Sequence, residues 1–281
     1  MQTVKSFIYK YYSENTEILL SHYAGLRNSR LLEEYCQFYN VKQEEVYSPK
    51  KGEFFEFISK AVPLEYIQKN AYFYKSNFYV DDRVLIPRSE TEILVEDSIS
   101  YIEKHYKNKY RVAEIGTGSF IIGLTILMEV NKPLFFIGGD LSSEALEVSR
   151  LNLFKLKSKI HPESYIELIK SDKLLSIEGE YDFIVSNPPY IKSQKDLSGV
   201  HFQTDKYEPH MALYLEDEIF DSWFEDLFQS ASEKLTESGA FFMEGHEDSL
   251  LHLKEIALKY FNNVEIKKDY TQRDRFLYGF K

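Results

Sequence analysis

Apolar residues recur at helical spacing through residues 1–69. Phe7, Ile8, Tyr11 and Tyr12 fall at i, i+3 and i+4 steps, as do Leu31, Leu32, Tyr35 and Cys36. Phe54, Phe55, Phe57, Ile58 and Val62 continue the pattern to Pro63. These stripes predict short amphipathic helices sharing one small core. Over 71–86 the pattern turns to aromatic and β-branched alternation, AYFYKSNFYVDDRVLI, which predicts a β-hairpin around Lys75-Ser76-Asn77. Pro87 ends it. Ser89 followed by Glu92 has the form of a capping box before Ile93, Leu94 and Val95, and a helix is predicted to about Lys107.

From Tyr110 onward, short apolar runs alternate with helical periods. Strands are predicted near 111–115, 134–139, 165–169, 182–186, 240–244, 263–267 and 275–280, with helices near 120–130, 142–156, 217–236 and 247–261. This alternation predicts an α/β fold with a largely parallel seven-stranded sheet, covered on both faces. The gap between the last two strands, Asp269 to Asp274, is too short for a helical crossover, so that pair is predicted to be antiparallel. The organisation that follows is a helical domain over 1–69, a hairpin linker over 70–88 and an α/β domain over 89–281.

The composition, 43% hydrophobic and 28% charged, is that of a soluble globular chain rather than a disordered one. No apolar run reaches the ~20 residues that span a bilayer, so no membrane partner is expected. The N-terminus has no continuous apolar stretch or small-residue cleavage site, so no signal peptide is expected either. The single cysteine, Cys36, excludes an internal disulfide and a cysteine-cluster metal site. Together these features predict a cytoplasmic protein. The net charge is −11, and residues 1–70 hold nine Lys/Arg against nine Asp/Glu, so the acidic excess falls entirely on 71–281. Nucleic-acid binders draw most of their affinity from basic residues on phosphates, so this distribution argues for a protein or small-molecule substrate instead.

The first strand of the α/β part runs into Glu114-Ile115-Gly116-Thr117-Gly118-Ser119, with a helix after it. A glycine-rich strand–helix turn lets backbone N–H groups approach a ligand beside a helix N-terminus. The next glycine, Gly123, comes too late for the dinucleotide pattern, and no Gly-Lys-Ser/Thr follows as in a P-loop. A plain turn would use the same glycines. What favours a ligand is Asp140, 24 residues after Gly116 at the end of the second strand, where an acid can accept from a ribose diol. Asp172 holds the corresponding place after the third strand and could accept from an adenine amino group.

The fourth strand ends in Ser186-Asn187-Pro188-Pro189-Tyr190. Two prolines remove two N–H donors and leave local carbonyls as free acceptors. Asn187 adds an acceptor and Tyr190 a flat aromatic surface. Such a pocket suits a planar –NH₂ group, whose hydrogens the oxygens accept while its lone pair is aimed at an electrophile. The bland alternative is a turn that merely closes the strand.

NPPY on the fourth strand, EIGTGS on the first and an acid ending the second resemble amino methyltransferases that use S-adenosylmethionine. Within that group the chain resembles the bacterial release-factor glutamine methyltransferase family almost end to end. PLEYI at 63–67, FYV at 78–80, VLIPRSETEILVE at 84–96, SSEALEVSRLN at 142–152, DFIVSNPPYI at 182–191, YEPHMAL at 207–213 and DYTQRDRFLYG at 269–279 carry the resemblance in order.

The resemblance implies a Rossmann-like seven-stranded class I methyltransferase sheet with a small N-terminal helical substrate-docking domain. It implies methyl transfer from S-adenosylmethionine, leaving S-adenosylhomocysteine, to the glutamine amide nitrogen in the Gly-Gly-Gln motif of class I peptide chain release factors. By position, Gly116, Thr117, Gly118, Ser119 and Phe120 would line the methionine end. Asp140 would take the ribose, with Asp172 and Lys173 flanking the adenine. Asn187, Pro188, Pro189 and Tyr190 would hold the glutamine amide, with Asn187, Pro188 and Tyr190 catalytic and Asn187 also touching the cofactor. No metal is expected, because in-line attack on a sulfonium methyl needs positioning rather than a Lewis acid, and His201, His210 and His246 lack ligand spacing. A monomer is expected.

The sequence departs from the family at three places. Phe120 stands where a small residue or glycine is usual, Lys173 where an aromatic is frequent, and Glu244-Gly245-His246 where Glu-His-Gly is usual. The Phe120 ring is expected to turn away from the cofactor into the helix–sheet core, beside Ile121, Ile122 and Leu124. The alternatives are an adenine-specific amino methyltransferase acting on nucleic acid and a non-catalytic binding module of the same fold.

Overall fold

Helices form on each of the N-terminal apolar stripes: α1 (Val4–Glu14), α2 (Thr16–His22), α3 (Asn28–Tyr39), α4 (Glu53–Ser59) and α5 (Leu64–Gln68). Ile8, Leu31, Tyr35, Phe54 and Ile58 are their buried residues and make one core, as the spacing predicts. Thr3 caps α1 by accepting from the Ser6 N–H at 3.2 Å. Cys36 is a half-buried thiol whose pKa is pushed up by burial, which keeps it in its inert neutral form. The computed structural model describes residues 2–48 and 50–281. It divides the chain into two units, Met1–Asn70 with His201–Tyr207, and Ala71–Val200 with Glu208–Lys281. The 201–207 segment joins the N-terminal helices through Gln203, whose side chain donates to the Ala61 carbonyl at 2.8 Å, and through Tyr207, whose hydroxyl donates to the Lys60 carbonyl. Nothing in the local pattern marks this return, because a helix as short as α9 (Phe202–Tyr207) is too brief to show a period.

The second unit opens on the hairpin β1 (Ala71–Phe73) and β2 (Ser76–Phe78), with Phe73 paired to Ser76. The turn is therefore Tyr74-Lys75, with Tyr74 at φ 56°, and Ser76 and Asn77 lie in the second strand rather than the turn. The Tyr74 N–H donates to Glu92 at 2.8 Å. That contact also explains why the capping box predicted for α6 (Thr91–His105) does not form. Glu92 is committed to the hairpin, while the Ser89 hydroxyl bonds Glu90 and Tyr270.

The central sheet comprises β3 (Arg111–Ile115), β4 (Phe135–Asp140), β5 (Tyr165–Lys170), β6 (Tyr181–Ser186), β9 (Leu235–Glu244), β10 (Asn263–Lys268) and β11 (Asp274–Phe280). Their order is β10-β11-β9-β6-β3-β4-β5. Only β11 runs antiparallel to its neighbours, β10 among them as the short connection requires. A separate two-stranded sheet pairs β7 (Ile191–Lys192) with β8 (Tyr214–Leu215). Helices α7 (Ile121–Glu129), α8 (Ser143–Leu156), α10 (His210–Leu213), α11 (Phe220–Lys234) and α12 (Glu247–Ala257) complete the unit.

Strand periodicity divides the buried residues between two cores. Phe183, Val185 and Phe242 join one with Leu94, Leu124 and Phe136, whereas Ile184, Phe241 and Met243 join the other with Phe224, Phe228 and Leu253. Every residue of β6 is buried, as expected of a strand covered on both faces. The parallel register then fixes the site. Ile115 pairs with Gly139 and Ser186, and Asp140 with Lys170, so Gly116, Asp140, Asp172 and Asn187 emerge at one edge of the sheet.

Candidate active site

A cavity of about 480 Å³ opens at that edge. Gly116, Thr117, Gly118, Ser119, Asp140, Asp172, Lys173, Asn187, Pro188 and Pro189 line it. Ten of the twelve residues singled out from sequence thus come together, although they lie on four strands' ends; Phe120 and Tyr190 do not line the cavity.

Gly116 and Gly118 have φ of 71° and 51°, the left-handed region that glycine enters without strain. A Cβ at Gly118 would enter open space, and one at Gly116 would approach the Asn187 carbonyl at 3.8 Å, so both positions keep the cavity wall low. The turn is braced from several sides. Gly116 donates to the Gly139 carbonyl at 2.8 Å and the Ser149 hydroxyl to the Gly118 carbonyl at 2.7 Å. Asn152 ties the Ser119 carbonyl to the Tyr79 backbone. Asp140 accepts from the Gly118 N–H and from the Ser142 N–H, both at 2.8 Å, with one oxygen each. Burial pushes the Asp140 pKa up, and these backbone donors counter it. The Leu141 N–H and the Thr117 hydroxyl also donate to this carboxylate, which is only partly buried and faces the cavity.

Phe120 is corrected from a lining residue to a core residue. It is fully buried, with its ring edge-on to Phe136 at 5.5 Å. Its backbone has φ 66°, which costs a non-glycine residue energy. Two glycines make room for the ring: a Cβ at Gly123 would lie 2.2 Å from Phe120 Cε2, and one at Gly138 3.4 Å from the same atom. The ring therefore turns away from the cavity, as its apolar neighbours predict.

At the end of β6, Asn187 and Tyr190 meet a carboxylate that the sequence reading did not select. Glu244, buried at the end of β9, accepts from the Thr91 hydroxyl at 2.6 Å, from Asn187 Nδ2 at 3.2 Å and from the Tyr190 hydroxyl at 3.2 Å. Asn187 Nδ2 also lies 3.4 Å from Thr91 Oγ1. A carboxylate only accepts, so the NH₂ end of Asn187 must face Glu244, and its Oδ1 is left as an acceptor on a cavity-lining residue. Burial pushes the Glu244 pKa up, against the Thr91 hydrogen bond and the nearby Arg275 charge. Tyr190, expected to offer its ring to a substrate amide, instead packs on the core and gives its hydroxyl to Glu244.

Thr91 belongs to the 84–96 motif, Asn187 to NPPY and Glu244 to the late strand, so three distant segments converge on one cluster. A second clasp ties the same 84–96 motif to the 207–213 motif: Arg88 pairs with buried Glu208 at 2.5 Å, and Glu208 also accepts from the Ile86 N–H at 2.9 Å. Neither carboxylate could be given a role from sequence, since Glu208 is held by Ile86 and Arg88, and Glu244 by Thr91 at the start of α6 and by Asn187 and Tyr190 in the loop after β6, all distant along the chain.

The cavity carries the carboxylates of Asp82, Asp140, Glu144 and Asp172 against the cations Arg83, Arg88 and Lys173. Each cation is already paired, with Asp81 and Glu147, with Glu208, and with Asp226 respectively. The balance suits a ligand with positive charge. Glu114 is wholly buried, gives one oxygen to the Gly123 N–H at 3.0 Å, and leaves Oε1 without a partner. Burial raises its pKa well above the usual carboxylate range. A low glycine wall, an acid at the strand end facing the cavity and a net negative lining fit S-adenosylmethionine, whose sulfonium and ammonium are cationic. Among the described residues, no group of three or more His, Cys, Asp or Glu is placed to hold a metal ion, and no helix is long and apolar enough to cross a membrane.

Residues 91–203 match the family model of the methyltransferase small domain. The chain is 32% identical over 266 residues to the release factor glutamine methyltransferase of Leptospira interrogans, covering 94% of this chain and 89% of that protein. It is 34% identical over 236 residues to the enzyme of the same name from Streptococcus pneumoniae, covering 82% and 78%. Among solved structures, the hMettl16 catalytic domain in complex with MAT2A 3′UTR hairpin 1 aligns with a TM-score of 0.53 at 15% identity, over 94% of this chain and 90% of that one. At that identity the likeness concerns the fold alone.

Proposed function

We propose that this chain, which belongs to the release factor glutamine methyltransferase family, methylates the side-chain amide nitrogen of the glutamine in the Gly-Gly-Gln motif of class I peptide chain release factors. The observation that carries the reading is the Asn187 amide, held NH₂-end towards Glu244 with its oxygen left as an acceptor at the cavity.

S-adenosylmethionine, when bound, supplies an electrophilic methyl group on a sulfonium and leaves as S-adenosylhomocysteine. The Gly116–Ser119 turn takes its amino-acid end, Asp140 accepts from the ribose hydroxyls, and Asp172 accepts from the adenine amino group. Asn187 Oδ1 and the Pro188 carbonyl accept the two hydrogens of the substrate amide. That arrangement orients a nitrogen whose lone pair is normally delocalised, and it stabilises the positive charge that the nitrogen gains. Proton loss follows methyl transfer, so no strong base is needed. Glu244, Thr91 and Tyr190 act behind Asn187 by fixing its orientation. The helical unit of residues 1–70 is assigned the docking of the protein substrate.

The test is transfer of labelled methyl to a purified release factor, run beside transfer to duplex DNA and to RNA. Label on the release factor alone supports the reading. Label on nucleic acid, or on neither, overturns it.

A further inference from the structure

The sheet order sets the direction in which a ligand must lie across the cavity. Asn187 follows β6, the glycine turn follows β3, Asp140 ends β4, and Asp172 and Lys173 follow β5, in adjacent strand positions. With strands about 4.8 Å apart, these positions span ~14 Å, the length of an extended nucleoside–amino acid conjugate. A reacting group at Asn187 and a ribose at Asp140 place the base beyond Asp140, at the β5 end.

That end has a wall that the sequence reading passed over. Trp223, the single tryptophan of the chain, lies on α11 and lines the cavity with Asp172 and Lys173. Its ring is half-buried and packs edge-on to Phe224 at 5.1 Å, which anchors it in the core. The Lys173 ammonium lies 4.9 Å from the ring centroid and 3.4 Å from Asp226, one turn further along α11. Lys173 is thus drawn onto α11, its side chain only 13% exposed, with its backbone in the left-handed region at φ 47°. Leu141, on the cavity wall after β4, is 47% exposed. A flat, apolar, π-rich group with an amino edge would cover Leu141 and Trp223 and reach the Asp172 carboxylate.

We propose that Trp223 is the aromatic contact for the purine ring of the methyl donor, and that Lys173 positions the indole through its cation–π contact and its Asp226 pair. This rests on the cofactor reading above and adds the residue that recognises the base.

Because Trp223 is the only tryptophan, its emission reports on this one place. The full-length protein is titrated with S-adenosylhomocysteine while tryptophan emission is followed, and the binding heat is measured in parallel. The expected result is a saturable emission change with the same Kd as the heat, a similar change with adenosine, and none with methionine. Trp223→Leu should weaken S-adenosylhomocysteine by roughly tenfold or more, the usual worth of a base–aromatic contact. Trp223→Phe should retain most of the affinity. Heat of binding without an emission change, or an unaltered Kd in Trp223→Leu, would overturn the assignment of Trp223 and leave the cofactor reading standing. Absence of binding heat in the wild-type chain would overturn both. The wild-type titration decides the question even if the leucine variant folds poorly.

Discussion

Asn187 donates its side-chain amide to the buried carboxylate of Glu244 at 3.2 Å, and this contact selects which end of the amide faces the cavity. Three donors converge on that carboxylate, from Thr91, Asn187 and Tyr190. Thr91 and Asn187 share one carboxylate oxygen and Tyr190 takes the other, so glutamine loses the charge and keeps only one of the two oxygens as an acceptor. Glu244→Gln is therefore expected to reduce kcat about tenfold or more by misaligning the amide, while S-adenosylhomocysteine binds as in the wild type. Steady-state kinetics beside calorimetry would check this. Equal losses in both quantities would mean that Glu244 serves the fold rather than the reaction.

The same carboxylate predicts a pH dependence. Burial raises the Glu244 pKa above its ordinary value. As pH falls through that raised value, Glu244 gains a proton and becomes a donor, so its hold on Asn187 weakens and kcat declines on the acid side. In Glu244→Gln this particular limb should vanish from the kcat–pH profile. A profile identical in shape for both proteins would rule out Glu244 as its source.

Glu114 gives a stability prediction of definite sign. Its folded pKa lies well above the unfolded value because it is buried. The folded state therefore holds the proton more tightly, and the contribution is full below the unfolded pKa and lost as pH rises through the folded one. Unfolding free energy should decline with rising pH across that window, and Glu114→Gln should flatten the slope. Urea denaturation at a series of pH values measures it, and parallel curves for the two proteins would refute the assignment.

Phe120 and Gly123 share one volume. Gly123→Ala would put a Cβ 2.2 Å from Phe120 Cε2 and 2.7 Å from Phe136 Cζ. Overpacking of this kind costs about 1–3 kcal/mol. Phe120→Ala alone empties a fully buried site, at about 3–5 kcal/mol. Combined, the two should cost less than their sum, a coupling of about 0.5–3 kcal/mol. Strict additivity in denaturant unfolding would show that the two side chains do not compete.

Asp140→Ala removes acceptors for the Gly118 and Ser142 N–H groups as well as for the ribose. The affinity for S-adenosylhomocysteine should drop by about 1–3 kcal/mol, read by calorimetry. An unchanged affinity would remove Asp140 from the ribose site.

The strands, their order of chemistry and the cavity-lining glycines were legible because each depends on a local pattern: apolar runs, a positive-φ turn, an acid at a strand end. The hairpin turn was misplaced because Glu92, eighteen residues on, captures the Tyr74 N–H; the same capture cancels the capping box. Glu244 and Glu208 stand in motifs that the sequence displays but received no role, because a buried carboxylate is identified by its partners, and these are brought in by the start of α6 and by distant loops. Trp223 reaches the cavity because α11 packs beside Asp172 and Lys173, a placement that no local pattern announces.

The most direct measurement is single-turnover methylation of intact release factor at saturating S-adenosylmethionine, wild type against Asn187→Ala, with the modified residue mapped by mass spectrometry. The account predicts one methyl group on the glutamine amide with the wild type. It predicts a rate about 10²–10³-fold lower with Asn187→Ala, by analogy with the loss of an oxyanion-hole donor, and only a modest loss of S-adenosylhomocysteine affinity. A near-wild-type rate in Asn187→Ala, or methyl found on another residue, would contradict it.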